Sequence, residues 1–309
     1  FTLYFMILNF SFKYVVYLFK IDDVETQIRH SMKRVLFETS GFYFLSIVNF
    51  INNYSDSFNF KNLSRNKTKK IWIYLLFKFI MTNKTLIFSA TYNEAKNIEE
   101  FLNLIFGLNI DFDILIIDDN SPDKTYEIIE KFVKDKQNTK LIVREKKMGL
   151  DTAHKMAFEH AKNNSYNYLI TLDADLSHDP TKIPIFLKEL QNNPFVVGSR
   201  YIPGGKCGMK GFRLFMSYMG NIFIKTIFNI DCRDFTSGYR GFNLQKLDKF
   251  NLAEVTSKGY SFFMETIYKL NYQNIPIKQI PIYFPERKKG KSKIPKIELI
   301  RTLLNVLKL

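Results

Sequence analysis

Cysteine is scarce in this chain of 309 residues, with only Cys207 and Cys232. That excludes a disulfide framework and leaves two reduced thiols as the expectation. Histidine occurs four times, and no His-rich or Cys-rich cluster suggests zinc. Long apolar runs are missing as well. The stretches FTLYFMILNFSFKYVVYLFK (1–20) and IWIYLLFKFIM (71–81) are broken by Lys13, Lys20 and Lys78. Neither reaches the roughly 18 uninterrupted apolar residues of a spanning helix. Acid is the minority charge: 30 Asp and Glu stand against 45 Lys and Arg, a formal net charge of +15. Such an excess points to nucleic acid, an anionic membrane or a phosphate-rich substrate. At 46% hydrophobic and 24% charged residues the composition is globular. Phe, Ile, Asn, Lys and Tyr run high throughout, which reads as base composition before function. The Asn-x-Ser/Thr triplets at Asn83 and Asn163 therefore carry no information.

The first 80 residues differ from the rest. Between the two apolar stretches, KNLSRNKTKK (61–70) is a basic linker by composition. The chain opens on Phe1, and Met81 opens MTNKTLIFSATYNEA, where an ordered alternation of strand and helix begins. Two readings of 1–80 stand. Either Met81 is the initiator and the segment is poorly ordered or untranslated, or it is a membrane-surface segment with a basic face. Residues 81–309 are long enough for a full domain.

From Met81 the pattern is regular. TLIFSA (85–90), FDILIID (112–118), KLIVR (140–144) and YLITLD (168–173) are short apolar runs that read as buried strands. Between them come helical patterns: Ile98, Phe101, Leu102 and Ile105; a second through Ile128, Ile129, Phe132 and Val133; and MGLDTAHKMAFEHA behind a glycine. Ser121 is expected to cap the second of these helices, with Pro122 at its first position. A β-α-β-α-β-α-β rhythm predicts an α/β fold with a doubly wound, mostly parallel sheet. No GxGxxG follows the first strand, so the phosphate loop of a dinucleotide fold is absent. After 173 the pattern continues as a helix with Pro180 in its first turn, the strand NPFVVGSRY ending near Arg200, and the long helix GFRLFMSYMGNIFIKTIF. On that helix Arg213, Ser217 and Asn221 recur at i, i+4, i+8, as a solvated face or as a phosphate clamp. The polar loop DCRDFTSGYRGF, the apolar helix GYSFFMETIYKL with its single acid Glu265, a strand and a basic loop from Arg287 to Lys293 complete the order. The tail KIELIRTLLNVLKL reads as an amphipathic helix.

Ligands of such sheets bind beyond the carboxyl ends of the strands. Tyr92 and Glu94 follow strand one, Asp118 and Asp119 strand two, and Asp173 and Asp175 strand four. Any one of these acids alone reads as a turn acid or helix cap, but acids in three loops at one edge read as a site. The Asp-x-Asp in LITLDADLSHDP offers two hard oxygen ligands, which suit Mg²⁺ or Mn²⁺ and leave positions for phosphate oxygens. Ser177, His178 and Asp179 are adjacent in the chain and do not make a catalytic triad, whose members come from separated segments. Acids, a metal and later basic residues describe a pocket for a nucleoside-diphosphate donor whose leaving phosphate they stabilise.

TYNEAKNI, IIDDNSPDKT, LDADLSHDP, GSRY, DFTSGYRGF and PERKKGKSK, in that order over 82–309, resemble the family 2, GT-A-type glycosyltransferases. Within that family the motifs are most like those of the dolichyl-phosphate mannosyltransferases in their short catalytic form. The resemblance implies that Ala90, Tyr92, Glu94, Ile117 and Asp119 line the nucleotide. It implies that Asp173, Ala174 and Asp175 meet the donor diphosphate and metal, with Ser177 beside the metal. Arg200, Arg287 and Lys293 would hold phosphates, and Arg213 and Ser217 would clamp the acceptor phosphate. The implied reaction is inverting transfer of mannose from GDP-mannose to dolichyl phosphate, with Mg²⁺ or Mn²⁺. The implied setting is the cytosolic face of the endoplasmic reticulum membrane, peripheral, with small membrane-anchoring subunits and no nucleic acid. Several positions depart from the usual pattern. Ala90 stands for a proline, Asn120 for a glycine, Asp151 for the second glycine of GLGTAY, and Asp179 for a second histidine. Asn tolerates the left-handed geometry that a glycine supplies. A UDP-glucose-dependent polyprenyl-phosphate glucosyltransferase and a non-catalytic basic binder of membrane or nucleic acid are the competing readings.

Overall fold

The computed structural model describes residues 84–285, which lie in the compact unit Thr82–Leu309. The expectations for 1–80, for Arg287 and Lys293 in the basic loop, and for the amphipathic tail fall outside the described residues. Nine strands and six α-helices are described: β1 Thr85–Thr91, α1 Ile98–Phe106, β2 Asp113–Asp118, α2 Thr125–Val133, β3 Thr139–Val143, α3 Leu150–Asn163, β4 Tyr168–Thr171, α4 Ile183–Leu190, β5 Phe195–Ser199, β6 Lys206–Cys207, α5 Gly211–Phe228, β7 Arg240–Asn243, α6 Tyr260–Tyr272, β8 Ile277–Pro281 and β9 Tyr283–Phe284.

Seven strands form one sheet in the order β3-β2-β1-β4-β7-β5-β8, and β6 pairs with β9 in a small second sheet. All contacts in the large sheet are parallel except those of β7, which runs against both β4 and β5. The mostly parallel, helix-flanked sheet expected from the alternating pattern is the one found. Its strands read as continuous apolar runs because both faces are covered. Leu86, Phe88, Leu115, Ile117 and Leu169 enter one buried cluster, where α3 and α6 contribute Phe158, Phe262 and Phe263. Ile87, Ile114, Ile116 and Ile170 point to the opposite face and a second cluster, with Phe101 of α1, Ile129 of α2 and Phe186 of α4. This is the period-two alternation of strand side chains.

Two helix starts differ from expectation. Ser121 does not cap α2, which begins at Thr125. The Asp118 carboxylate accepts from both the N–H and the hydroxyl of Ser121, which ties that residue into the strand-end turn. Asn120 (φ 52°) and Lys124 (φ 63°) are both left-handed, so the chain does not enter a right-handed helix before Thr125. Pro180 begins a 3₁₀ turn, Pro180–Lys182, ahead of α4. Asp179 caps that turn by accepting from Thr181 N–H at 2.9 Å.

Candidate active site

The parallel strands bring the predicted acids to one edge. Ala90 pairs with Ile117 and Thr91 with Asp118 across β1 and β2, so the two loops leave the sheet side by side. Asp118 is fully buried and structural: besides Ser121 it accepts from Thr91 Oγ1 at 2.6 Å. Asp119 is also buried. Its Oδ1 forms an ion pair with Arg144, and its Oδ2 accepts from Met148 and Gly149 N–H at 3.2 and 3.1 Å. Arg144 in turn reaches Thr152 Oγ1 and the Gly149 carbonyl. Asp119 therefore joins the ends of β2 and β3 to the start of α3. Tyr92 is half-buried with the Lys147 ammonium 4.1 Å from its ring centre. Glu94 accepts from Asn97 Nδ2 at 2.8 Å and its N–H donates to Thr125 Oγ1. Ile117 and Ala174 are buried in the two clusters, so any ligand contact at these positions is made by backbone and not by side chain.

The Asp173–Ala174–Asp175 turn is held from three sides. Asp173 N–H donates to His178 Nδ1 at 3.0 Å, which places the imidazole proton on Nε2. The His178 ring packs 5.2 Å from Tyr239 and 5.7 Å from Phe284, between centroids. Ser177 donates to Asp175 Oδ1 through its N–H at 3.0 Å and also through its hydroxyl. Leu176 makes this return with φ 62°, a left-handed conformation that a leucine adopts at a cost on the order of 1 kcal/mol. Gly238 borders the turn: a Cβ there would stand 3.2 Å from Asp173 Oδ1 and 3.6 Å from His178 Cε1. Asp179 points elsewhere, to Thr181, and Asp151 accepts from Gly259 N–H at the start of α6. Both unexpected acids are thus absorbed by local structure.

Residues 231–240 join this turn to the end of β5. Arg200 does not stand as an open phosphate ligand. Its guanidinium is buried on Asp234 through Nε at 2.7 Å and Nη2 at 2.6 Å, with Thr236 Oγ1 also at 2.7 Å from Nη2. Burial opposes its charge, but Asp234 outweighs it and holds the pKa above the usual value. Arg240 is entirely buried; it donates to the carbonyls of Ser237, Phe235 and Phe263 at 2.8, 3.0 and 2.8 Å. Burial brings its pKa down to about 9. Phe235 N–H donates to Asn221 Oδ1 at 2.8 Å, and Ser217 Oγ lies 2.7 Å from Tyr201 Oη. The Ser217/Asn221 stripe of α5 therefore faces the protein, and the solvated-face reading is overturned. Burial pushes the Tyr201 hydroxyl up to about 12. Arg213 lies one turn earlier on α5.

The structure thus gathers Ala90, Tyr92, Glu94, Asp119, Asp173 and Asp175 at the ends of β1, β2 and β4. Arg200 and Ser217 lie along the same edge past β5. Asp234, Gly238 and Arg240 were not singled out from sequence. The signal was present, since charged residues flank a glycine in DFTSGYRGF, but nothing in it told a buried organising arginine from an exposed ligand. Among the described residues no three His, Cys, Asp or Glu converge on a single point. Two carboxylates from one turn are nonetheless a fitting donor set for a hard cation that keeps water and phosphate oxygens as its other ligands.

A doubly wound sheet with acids beyond its carboxyl ends and one reversed strand beside them has the GT-A arrangement. The chain belongs to glycosyl transferase family 2, whose sequence profile matches residues 86–250. It is 30% identical over 216 residues to polyprenol monophosphomannose synthase of Mycolicibacterium smegmatis, covering 69% of this chain and 82% of that one. Undecaprenyl-phosphate mannosyltransferase of Micrococcus luteus is 29% identical over 212 residues, 68% of this chain and 87% of that protein. Glucosyl-3-phosphoglycerate synthase from Mycobacterium tuberculosis, solved with Mn²⁺, UDP-glucose and phosphoglyceric acid, superposes with a TM-score of 0.54. That match covers 74% of this chain and 81% of the other at 15% identity, a likeness of fold. The reading as a non-catalytic basic binder gives way to that of a glycosyltransferase.

Proposed function

We propose that this protein transfers mannose from GDP-mannose to a polyprenyl phosphate, with inversion at the anomeric carbon. The observation that carries the reading is the Asp173–Asp175 turn, pinned by Ser177, His178 and Gly238 at the sheet's carboxyl edge. The two mannosyltransferases of similar sequence support the sugar and the lipid-phosphate class of acceptor. In this reading Tyr92, Glu94 and Asp119, with the backbone at Ala90 and Ile117, border the nucleoside. Asp173 and Asp175, the Ala174 backbone and Ser177 face the diphosphate and hold Mg²⁺ or Mn²⁺. The metal, when bound, neutralises charge on the departing diphosphate. Arg213 and Ser217 receive the acceptor phosphate, and Arg287 and Lys293 add positive charge to the phosphates. Arg200 acts through Asp234 as a positioning residue. The acceptor oxygen is already anionic, so it attacks the anomeric carbon without a strong general base, and GDP leaves carrying the bond's electron pair.

The proposal includes dolichyl phosphate as acceptor, a peripheral place on the cytosolic face of the endoplasmic reticulum membrane, and small membrane-anchoring subunits as partners. The test gives the full chain radiolabelled GDP-mannose or UDP-glucose, dolichyl or undecaprenyl phosphate, and Mg²⁺ or Mn²⁺. A mannolipid formed from GDP-mannose and lost on chelation is the expected product. Transfer from UDP-glucose alone overturns the donor, and failure with both lipid phosphates overturns the acceptor.

A further inference from the structure

The loop between β3 and α3 is fixed to the end of β2 at several points. Asp119 accepts from Met148 and Gly149 N–H at 3.2 and 3.1 Å and pairs with Arg144. Asn120 Nδ2 donates to the Glu145 carbonyl at 2.9 Å. Lys146 and Lys147 stand side by side on this loop, both exposed. Among the described residues, Lys147 is the one of the two that meets an aromatic ring: its ammonium lies 4.1 Å from the ring centre of Tyr92, just past the end of β1. No ion pair among the described residues involves Lys147. Arg144 is committed elsewhere, to Asp119, Thr152 Oγ1 and the Gly149 carbonyl.

A cation over an exposed ring is held weakly, so this ammonium leaves Tyr92 readily for a better acceptor. A base packed against Tyr92 lies within reach of a flexible four-carbon stem with three rotatable donors. The bases differ in what they offer such a group. Guanine carries two acceptors side by side, O6 and N7. Adenine puts an amino donor in place of O6, and uracil has no N7. Lysine pairs with the O6/N7 edge of guanine in nucleic-acid recognition for this reason. Acids and a metal at the diphosphate meet what GDP and UDP share, whereas a cation at the base does not treat them alike.

We propose that Lys147 selects the base of the donor, donating its ammonium to O6 and N7 of guanine. This deepens the reading of the donor as GDP-mannose and rests on it. The anchored loop fixes where the lysine starts, and its stem carries the charge from the ring to the base.

Calorimetric titration of the full chain with Mn²⁺ measures the binding of GDP, UDP and 7-deaza-GDP, in which a C–H replaces N7. The parent is expected to bind GDP about tenfold or more tightly than UDP, and 7-deaza-GDP more weakly than GDP. Lys147→Met is expected to lose about tenfold in affinity for GDP, to change little toward UDP, and to bind GDP and 7-deaza-GDP alike. Lys147→Arg, which also donates to O6 and N7, is expected to keep the preference. Lys146→Met removes the same charge one residue away and is expected to bind all three nucleotides as the parent does. Equal losses of GDP and UDP affinity in Lys147→Met overturn the inference and make the lysine a diphosphate contact. A parent indifferent to the loss of N7 overturns it as well. A preference for GDP that depends on Lys147, in a protein that transfers mannose to no lipid phosphate, upholds this inference and overturns the function. Mannose transfer from GDP-mannose with kcat/KM unchanged in Lys147→Met upholds the function and overturns the inference.

Discussion

Asp175 is the proposed metal-binding residue, and its surroundings separate that proposed role from its role in the fold. One carboxylate oxygen is engaged by the N–H and hydroxyl of Ser177, two positions along the same turn. Asp175→Asn keeps the shape and at least one of those bonds. It should leave the thermal midpoint near that of the parent while lowering kcat by about 10²-fold or more, the scale of losing one charge-stabilising group. Steady-state transfer and a melting curve on the same preparation decide this. His154 has the opposite character. It sits among Phe88, Phe262 and Phe263 at centroid distances of 5.0, 5.7 and 5.1 Å. Burial, with the Arg240 charge nearby, depresses its pKa to about 3. Between that value and its ordinary 6.5 the unfolded chain holds a proton that the folded chain does not, so stability falls as pH falls through this window. The full loss is on the order of 5 kcal/mol. Glu265 adds to it only lower down. Burial disfavours its charge, but hydrogen bonds from Ser257 and Thr256, together with Lys269, outweigh that and lower its pKa. Its contribution is therefore present above the ordinary carboxyl value and lost below it. Urea unfolding at pH 7 and pH 5 isolates the histidine: His154→Phe should remove most of the difference between the two.

At the scale of elements, what could be read in advance was whatever periodicity encodes. Ile98, Phe101, Leu102 and Ile105 share the buried side of α1 as their spacing requires. Asn120 adopts the left-handed conformation expected of an asparagine in a glycine's place. The start of α2 was misplaced because a carboxylate three residues upstream, Asp118, competed for Ser121, and a pattern of local capping residues does not show that competition. α5 was legible only in part. Its polar stripe was evident, but which side of the helix meets the protein depends on tertiary partners, Tyr201 and Phe235, which are remote in sequence. The same limit hid Arg240. Its three carbonyl acceptors hold residues 235–237 and α6 in register and so place Gly238 beside Asp173. Arg240→Lys keeps the charge and cannot reproduce that fork. It is expected to destabilise the fold by about 3 kcal/mol and to lower kcat by roughly tenfold, with KM for the donor nearly constant. A fall in stability with turnover unchanged would make the arginine purely architectural.

Across the whole molecule, the order of strands explains why one edge does all the work. β1, β2, β4 and β5 end on the same side, and β7, reversed between β4 and β5, begins there. Five segments scattered through the sequence therefore deliver their polar residues to a single crevice. The parallel rhythm and the crevice followed from the alternation of apolar runs. The insertion of β7 did not, because a four-residue strand carries too little periodicity to reveal its direction. A site assembled from so many segments makes ligand binding a property of the folded state as a whole. GDP with Mn²⁺ at a hundred times its dissociation constant should stabilise the protein by about 2.7 kcal/mol, read as a rise of several degrees in the thermal midpoint. UDP at the same concentration should give a smaller rise, since GDP-mannose is the proposed donor. Chelation should remove most of the effect of GDP. The double variant Asp173→Asn, Asp175→Asn should melt near the unliganded parent and show little response to either nucleotide. A response equal to the parent's would place the diphosphate away from the turn that the sheet brings to its edge.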